Sequence, residues 1–261
     1  MQTSFDLISD LHMETWDQQP DWKSLATSMY CVVAGDVARD RGLVIETLAH
    51  LSNCYKAVLY IDGNDEHRYH YDSLPESLTD LYEQVKCLEN VIPLQDNVAV
   101  IDGVAFVGVN GWWTYDFDDA ETYTQSKRWI ADQYDLQHEA INQIEAMALL
   151  DTKYLNNTVD RLQKHKDIET IVIVSHTVPS LDLVAHDLDL ENTHRLNCLG
   201  NRYIRNVLQK DTEGKITTWC FGHYHKDVER VLDGVKYINN CRGRANTEWS
   251  KTVYFPKKIY V

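Results

Sequence analysis

The chain has 261 residues, 44% of them apolar, with 40 acidic against 25 basic side chains and a formal net charge of -15. That length suffices to bury a sizeable core in a single domain spanning residues 1–261. A surface so acidic repels phosphate backbones, which argues against wrapping extended duplex nucleic acid and leaves open a small phosphorylated ligand held through metal ions.

The first apolar run, Phe5 to Ser9, has the length and β-branched content of a buried strand and ends in Asp10-Leu11-His12. A second such run, Tyr30 to Ala34, ends in Gly35-Asp36, and helical spacing of Leu43, Val44, Thr47, Leu48 and Leu51 predicts a helix over 41–51. Ala57 to Ile61 reads as a third strand and ends in Gly63-Asn64; Leu78, Leu81, Val85 and Leu88 then predict a helix over 74–88. Val98 to Ile101, Asp102-Gly103 and Val104 to Val109 read as a hairpin that opens a second sheet, because Asp-Gly suits a tight primed turn. A tryptophan segment, Gly111 to Phe117, and an acidic stretch, Asp116 to Glu121, follow, and the stretch is read as a solvated loop able to cover a cleft. Residues 136–166 carry Ile141, Ile144, Leu150, Leu155, Val159 and Leu162 in the pattern of one long helix or two joined ones. Ile171 to Val174 leads into Ser175-His176, and Ile216 to Phe221 into Gly222-His223-Tyr224-His225. A second Asp-Gly hairpin, Asp227 to Ile238, comes before Arg242 and Arg244.

Strands alternating with helices indicate an α/β fold with helices on the sheet faces. Residues just past the carboxyl ends of strands in such a fold converge on one crevice. Asp10, His12, Asp36, Asn64, His176, His223 and His225 can therefore share a site, and this mixture of oxygen and imidazole donors suits two divalent ions of the Mn, Fe, Co, Ni or Zn type, with manganese the first choice, rather than a calcium cage. Asp36 has two oxygens and can bridge the pair. Only Asp10 and Asp36 of the seven are anionic, so two dications keep excess positive charge to attract phosphate and acidify a water.

The six cysteines, 31, 54, 87, 198, 220 and 241, include no Cys-x-x-Cys pair, lie mostly inside or beside apolar runs and are read as reduced core thiols. No basic segment followed by an apolar stretch opens the chain, and no run approaches the roughly 18 residues of a membrane span, so a cytoplasmic, membrane-free protein is expected. The sequence selects no oligomeric state. His50, His70, His138, His165, His186 and His194 have no partner spacing and are read as surface or capping residues. Trp112 and Trp113 are read as core or cleft wall, with Trp112 a candidate substrate contact. Arg242 and Arg244 are candidates for holding a phosphate, with solvated loop positions as the alternative.

In its ordered motifs Asp10-x-His12, Gly35-Asp36, Gly63-Asn64, Ser175-His176 and Gly222-His223-x-His225, the chain resembles the calcineurin-like metallophosphoesterase family, and in its tryptophan segment a bacterial and phage subgroup of it. The resemblance implies a four-layer α/β/β/α sandwich. It also implies that Asp10, His12, Asp36 and His225 hold one ion and that Asp36, Asn64, His176 and His223 hold the other. One position departs from the pattern: where the family has His directly after Gly-Asn, acting on the leaving oxygen, this chain reads Asn64-Asp65-Glu66-His67. Three alternatives follow: His67 swings in as general acid, Asp65 takes that role, or the leaving group needs no acid. The function implied is a dinuclear phosphoesterase, foremost a phosphodiesterase on a small diester or nucleotide, working by in-line attack of a metal-bridging hydroxide. Phosphomonoester hydrolysis is the alternative, and a metal-binding scaffold with impaired chemistry stands behind both.

Overall fold

A computed structural model describes residues 2–184, 193–248 and 250–261. Among the described residues eleven strands run in chain order: β1 Ser4–Ile8, β2 Tyr30–Ala34, β3 Ala57–Ile61, β4 Val91–Pro93, β5 Asn97–Ile101, β6 Val104–Val109, β7 Thr170–Ser175, β8 Ile216–Phe221, β9 Val228–Leu232, β10 Val235–Asn239 and β11 Lys257–Tyr260. The α-helices are α1 Trp22–Leu25, α2 Arg41–Ser52, α3 Leu74–Val85, α4 Tyr123–Tyr134, α5 His138–Gln163 and α6 Thr193–Asn197. One sheet has the order β11-β1-β2-β3-β4, the other β5-β6-β7-β8-β10-β9. Strands β1 to β4 lie parallel, with β11 antiparallel at the edge; β6, β7, β8 and β10 lie parallel between the antiparallel edges β5 and β9.

The two-residue period of the strands sorts their side chains into layers. Leu7, Val32, Leu59 and Ile61 meet Phe106, Val172, Val174, Cys220 and Ile238 between the sheets. Ile8, Cys31, Val33, Val58 and Tyr60 face outward onto Val44, Leu48, Leu81 and Val85 of α2 and α3. On the far side, Val107, Ile171, Ile173 and Trp219 pack on Leu155, Val159 and Leu162 of α5. The α/β sandwich of two mixed sheets expected from the sequence is the fold found.

Both Asp-Gly hairpins form as expected, with positive φ at Asp102, Gly103, Asp233 and Gly234, the signature of the primed turn. Residues 136–166 give a single helix, α5, and α3 ends at Val85, earlier than the sequence pattern suggested. Four cysteines are buried, but Cys54 is half-buried and Cys87 exposed, which corrects the reading of all six as core thiols. The acidic stretch is also less solvated than expected. Asn197 accepts from the backbone N–H groups of Asp118 and Asp119, both at 2.8 Å, and Asp116 is 9% exposed, so the segment is tied down. Among the described residues no helix is long and apolar enough to cross a membrane.

Helix α5 is fixed to the loop after β6 through Asp151, whose carboxylate accepts from Gln95 Nε2 at 2.9 Å and from the Gly111 N–H at 2.7 Å. Burial pushes this carboxyl up to about 7, against the two hydrogen bonds. A raised folded-state value adds stability that is complete below the ordinary 3.8 and is lost as pH rises through about 7. The Asp151→Asn variant is therefore expected to show a flatter dependence of urea midpoint on pH between pH 5 and 8 than the parent; an unchanged slope would remove Asp151 as its source.

Candidate metal centre

The seven sequence-selected residues come together at the carboxyl ends of β1, β2, β3, β7 and β8. Donor atoms of Asp10, His12, Asp36 and His225 lie within 4.8 Å of one another, as do those of Asp36, His176 and His223, so Asp36 belongs to both groups. Asn64 joins the second group, its Oδ1 being 3.1 Å from His176 Nε2. Asp10, His12, Asp36 and His176 are buried, while the His225 side chain is 26% exposed and marks the open side.

Several contacts turn one acceptor toward another, an arrangement that a cation completes. His176 Nδ1 lies 2.9 Å from the Ala34 carbonyl, so that nitrogen carries the proton and Nε2 presents its lone pair. That lone pair faces Asn64 Oδ1 at 3.1 Å and Asp36 Oδ1 at 3.3 Å. His12 Nε2 and His225 Nε2 stand 3.0 Å apart, and Asp10 Oδ2 is buried with no hydrogen-bond partner. His223 Nε2 lies 3.3 Å from the Cys198 carbonyl, which leaves Nδ1 as its free donor. Orphaned acceptors, neutral imidazoles and a shared carboxylate fit a pair of divalent ions.

The electrostatics agree. Burial pulls His12 down to about 4 and His223 to about 3, so both rings are neutral at pH 7. Burial, then the Asp65 and Asp10 carboxylates, push Asp36 well above the usual range, and a bound dication reverses that balance. For Asp10, burial acts upward, but the His225 contact and the neighbouring imidazoles outweigh it and hold the group low.

Local backbone explains how short loops bring the ligands together. Asp10, His12, Asp36 and His223 all have φ between 44° and 63°, the left-handed region. Gly63 runs against Asp36: a Cβ there would overlap Asp36 Oδ1 and N and lie 2.9 Å from its Cγ. The Gly63→Ala variant is therefore expected to weaken Mn binding at least about tenfold, since the carboxylate must move; calorimetry with manganese checks this, and unchanged affinity would show that the loop yields instead.

Glu66, not selected from the sequence, clamps the two ligand loops together. Its Oε2 accepts the N–H groups of Asp36 (3.1 Å) and Gly63 (3.0 Å), and its Oε1 accepts the N–H of Val37 (2.9 Å) and the Tyr60 hydroxyl (3.2 Å). Trp113, expected as core or wall, has its ring nearly parallel to His223, with centroids 5.8 Å apart, and braces that ligand.

Three expectations are corrected. His67 does not reach the cluster: it is fully buried, with Nδ1 2.8 Å from Ser77 Oγ and Nε2 3.1 Å from Asp62 Oδ2. The short 3-10 turn Asp65–His67 rotates it into the interior. Trp112 has no exposed surface and packs on His67 and Tyr71, so it is core and not cleft wall. Arg242 is 4% exposed, with its guanidinium 4.0 Å over the Trp16 ring and Nη1 3.2 Å from Met13 Sδ, neither solvated nor at the cluster. Asp65 and Arg244 are at the cluster's edge, paired with each other, and His12 Nδ1 lies 3.2 Å from Asp65 Oδ2. Of the remaining histidines, His50, His70, His138 and His165 are exposed, His194 is half-buried against Ser126, and His186 lies outside the described residues.

No known sequence family and no curated protein matches the chain. Among solved structures, it is similar to a phosphopantetheinyl hydrolase from Mycobacterium tuberculosis, with 20% identity, a TM-score of 0.69, and coverage of 95% of this chain and 94% of that one. It is also similar to a dimetal phosphatase from Danio rerio, with 16% identity, a TM-score of 0.56, and coverage of 99% and 92%. The chain thus shares its fold with these two proteins.

Proposed function

We propose that the chain is a two-metal phosphodiesterase acting on a small diester or nucleotide, with manganese as the working ion and Fe, Zn, Ni or Co as ions the same ligands accept. The observation that carries this reading is the sharing of Asp36 between two ligand groups that otherwise use different side chains. Bound divalent ions would supply an acidified water and positive charge at the phosphoryl oxygens. The chain's own residues do the rest. His176 and Asn64 hold their donors in place through Ala34 and Asp65, Glu66 keeps the two ligand loops in register, and the His225 side leaves an opening for substrate. The fold shared with a dimetal phosphatase supports the metal assignment. Because the other similar structure is named a phosphopantetheinyl hydrolase, a phosphopantetheinylated compound belongs among the first natural substrates tried.

A specific observation favours phosphomonoester hydrolysis as the second reading. Arg39 and Arg244 both bind Asp65 beside the cluster and bring the extra cationic groups that a dianion requires. Metal-stripped protein resupplied with manganese separates the two: faster turnover of bis-(p-nitrophenyl) phosphate supports the diesterase, faster turnover of p-nitrophenyl phosphate the monoesterase. Cleavage of neither ester by a manganese-loaded protein would sink both.

A further inference from the structure

The second ligand group draws on both sheets: Asp36 and Asn64 follow β2 and β3 of one, His176 and His223 follow β7 and β8 of the other. Its geometry therefore depends on how the sheets are held together at this end. Asp62, directly after β3, and Asn110, directly after β6, make such a link. Neither has exposed surface, and Asn110 Nδ2 donates to the Asp62 carboxylate at 2.8 Å and to the Asp62 carbonyl at 3.1 Å. On one side of the link, Asn64 follows Asp62 by two residues. On the other, the Asn110 carbonyl accepts the His176 N–H at 2.9 Å, and the His176 carbonyl accepts the N–H of Gly222, the residue before His223, at 2.9 Å. The three unshared ligands of this group thus hang from one side-chain pair. Among the described residues no hydrogen bond joins that pair to Asp10, His12 or His225 of the first group, and Asp10 is tied across the sheets separately, by the His223 N–H at 2.8 Å.

We propose that Asp62, braced by His67 and paired with Asn110, is a positioning residue that sets the affinity of the second ion independently of the first. This rests on the two-metal reading and adds to it a control on one of its ions. The brace runs inward from the surface of α2. Arg41 Nη2 donates to Ser77 Oγ at 3.0 Å, which leaves the Ser77 hydroxyl free to donate to His67 Nδ1 at 2.8 Å, and the ring then donates from Nε2 to Asp62 Oδ2 at 3.1 Å. The Tyr82 hydroxyl donates to Asp62 Oδ1. With both oxygens engaged, the carboxylate is held in the rotamer that meets Asn110. Asn110 Oδ1, however, is buried with no hydrogen-bond partner, which costs stability. An apolar pair would hold the sheets without that loss, so the polar link is kept for the geometry it imposes on the ligands.

The test is calorimetric binding of manganese to metal-stripped protein, with the paramagnetic resonance of bound manganese reporting whether two ions sit side by side. The step that Asn64→Ala weakens marks the second ion, and the step that His12→Ala weakens marks the first. Asp62→Ala, and Asn110→Ala, which keeps the backbone carbonyl used by His176, are each expected to weaken the second step about tenfold and leave the first within about twofold, the scale of losing an outer partner of a metal ligand. The spin-coupled signal of an ion pair then gives way to that of isolated manganese. Asp62→Asn is expected to keep the parental affinity, because its oxygen still accepts from His67 and Asn110 while its amide donates to the Tyr82 hydroxyl. Val159→Ala, in the core on α5, is the control that lowers stability without favouring either ion. Equal weakening of both steps, no weakening by either alanine variant, or an Asp62→Asn protein as weak as Asp62→Ala overturns the proposal. If Asp62→Ala does not fold, Asn110→Ala and Asp62→Asn carry the same comparison. If the unsubstituted protein takes up only one ion, the two-metal reading falls by itself; the proposal then stands if Asn64→Ala and Asn110→Ala weaken that ion alike, and falls if they do not.

Discussion

Asp36→Ala is expected to reduce manganese-supported hydrolysis of bis-(p-nitrophenyl) phosphate about a thousandfold or more. Asp36 is the one side chain in both ligand groups, with Oδ1 3.3 Å from His176 Nε2 and Oδ2 3.8 Å from His12 Nε2. Two ions at such a site contribute several kcal/mol of transition-state stabilisation, and each 1.36 kcal/mol is a factor of about ten in rate, which sets the scale of the loss. The same variant is expected to bind manganese more weakly, because both groups lose a donor. Its fold should persist, since removing Asp36 also relieves the burial of its carboxyl and then the repulsion from Asp65 and Asp10, which together push that group up. A folded Asp36→Ala protein with near-parental turnover would place the chemistry elsewhere.

Glu66→Gln is expected to destabilise the protein by about 2–4 kcal/mol, an isosteric change with a large effect. Both carboxylate oxygens serve only as acceptors, Oε2 for two backbone N–H groups and Oε1 for a third plus the Tyr60 hydroxyl. A glutamine must turn its NH2 toward one of these pairs, leaving buried donors opposed at about 1–3 kcal/mol each. Urea unfolding of metal-free protein checks the loss, and manganese calorimetry checks whether the Gly35-Asp36 and Gly63-Asn64 loops drift apart. A midpoint within error of the parent would show that another group satisfies those amides.

The parts of the fold legible in the sequence are those whose burial leaves a period. The five strands before the ligands are nearly all buried, and their β-branched runs carry the signal; the Asp-Gly pairs located both hairpins. Helix α4 is hard to read from sequence because it fully buries only Ser126 and Ile130, and the rest of its inward face is half-buried Tyr123, Trp129 and Tyr134 rather than aliphatic residues. Strand β11 is hard to read because it is a four-residue edge of alternating exposure, paired only with β1. At the site, ligand identities were legible because Asp, Asn and His after strands carry their chemistry in the residue type. Glu66 was not, because its partners are backbone amides, which look alike in any sequence. His67 misled because sequence offset carries no direction: in a 3-10 turn two residues reverse the side a ring faces.

The left-handed backbone at Asp10, His12, Asp36 and His223 has a consequence for what these identities mean. Asp and His enter that region more readily than most side chains, yet glycine adopts it at lower cost, as Gly35 does with φ of 83° one residue before Asp36. On backbone conformation alone, glycine would suit all four positions better. Asp96, Asp102, Asp135 and Asp233 have the same backbone away from the cluster, so an aspartate in this conformation serves turns as well; what sets Asp10, His12, Asp36 and His223 apart is that all four stand at ligand positions. The donor atoms they bring into the two ligand groups, rather than their backbone, are therefore what their identities record, and they bear on the site more than on the architecture.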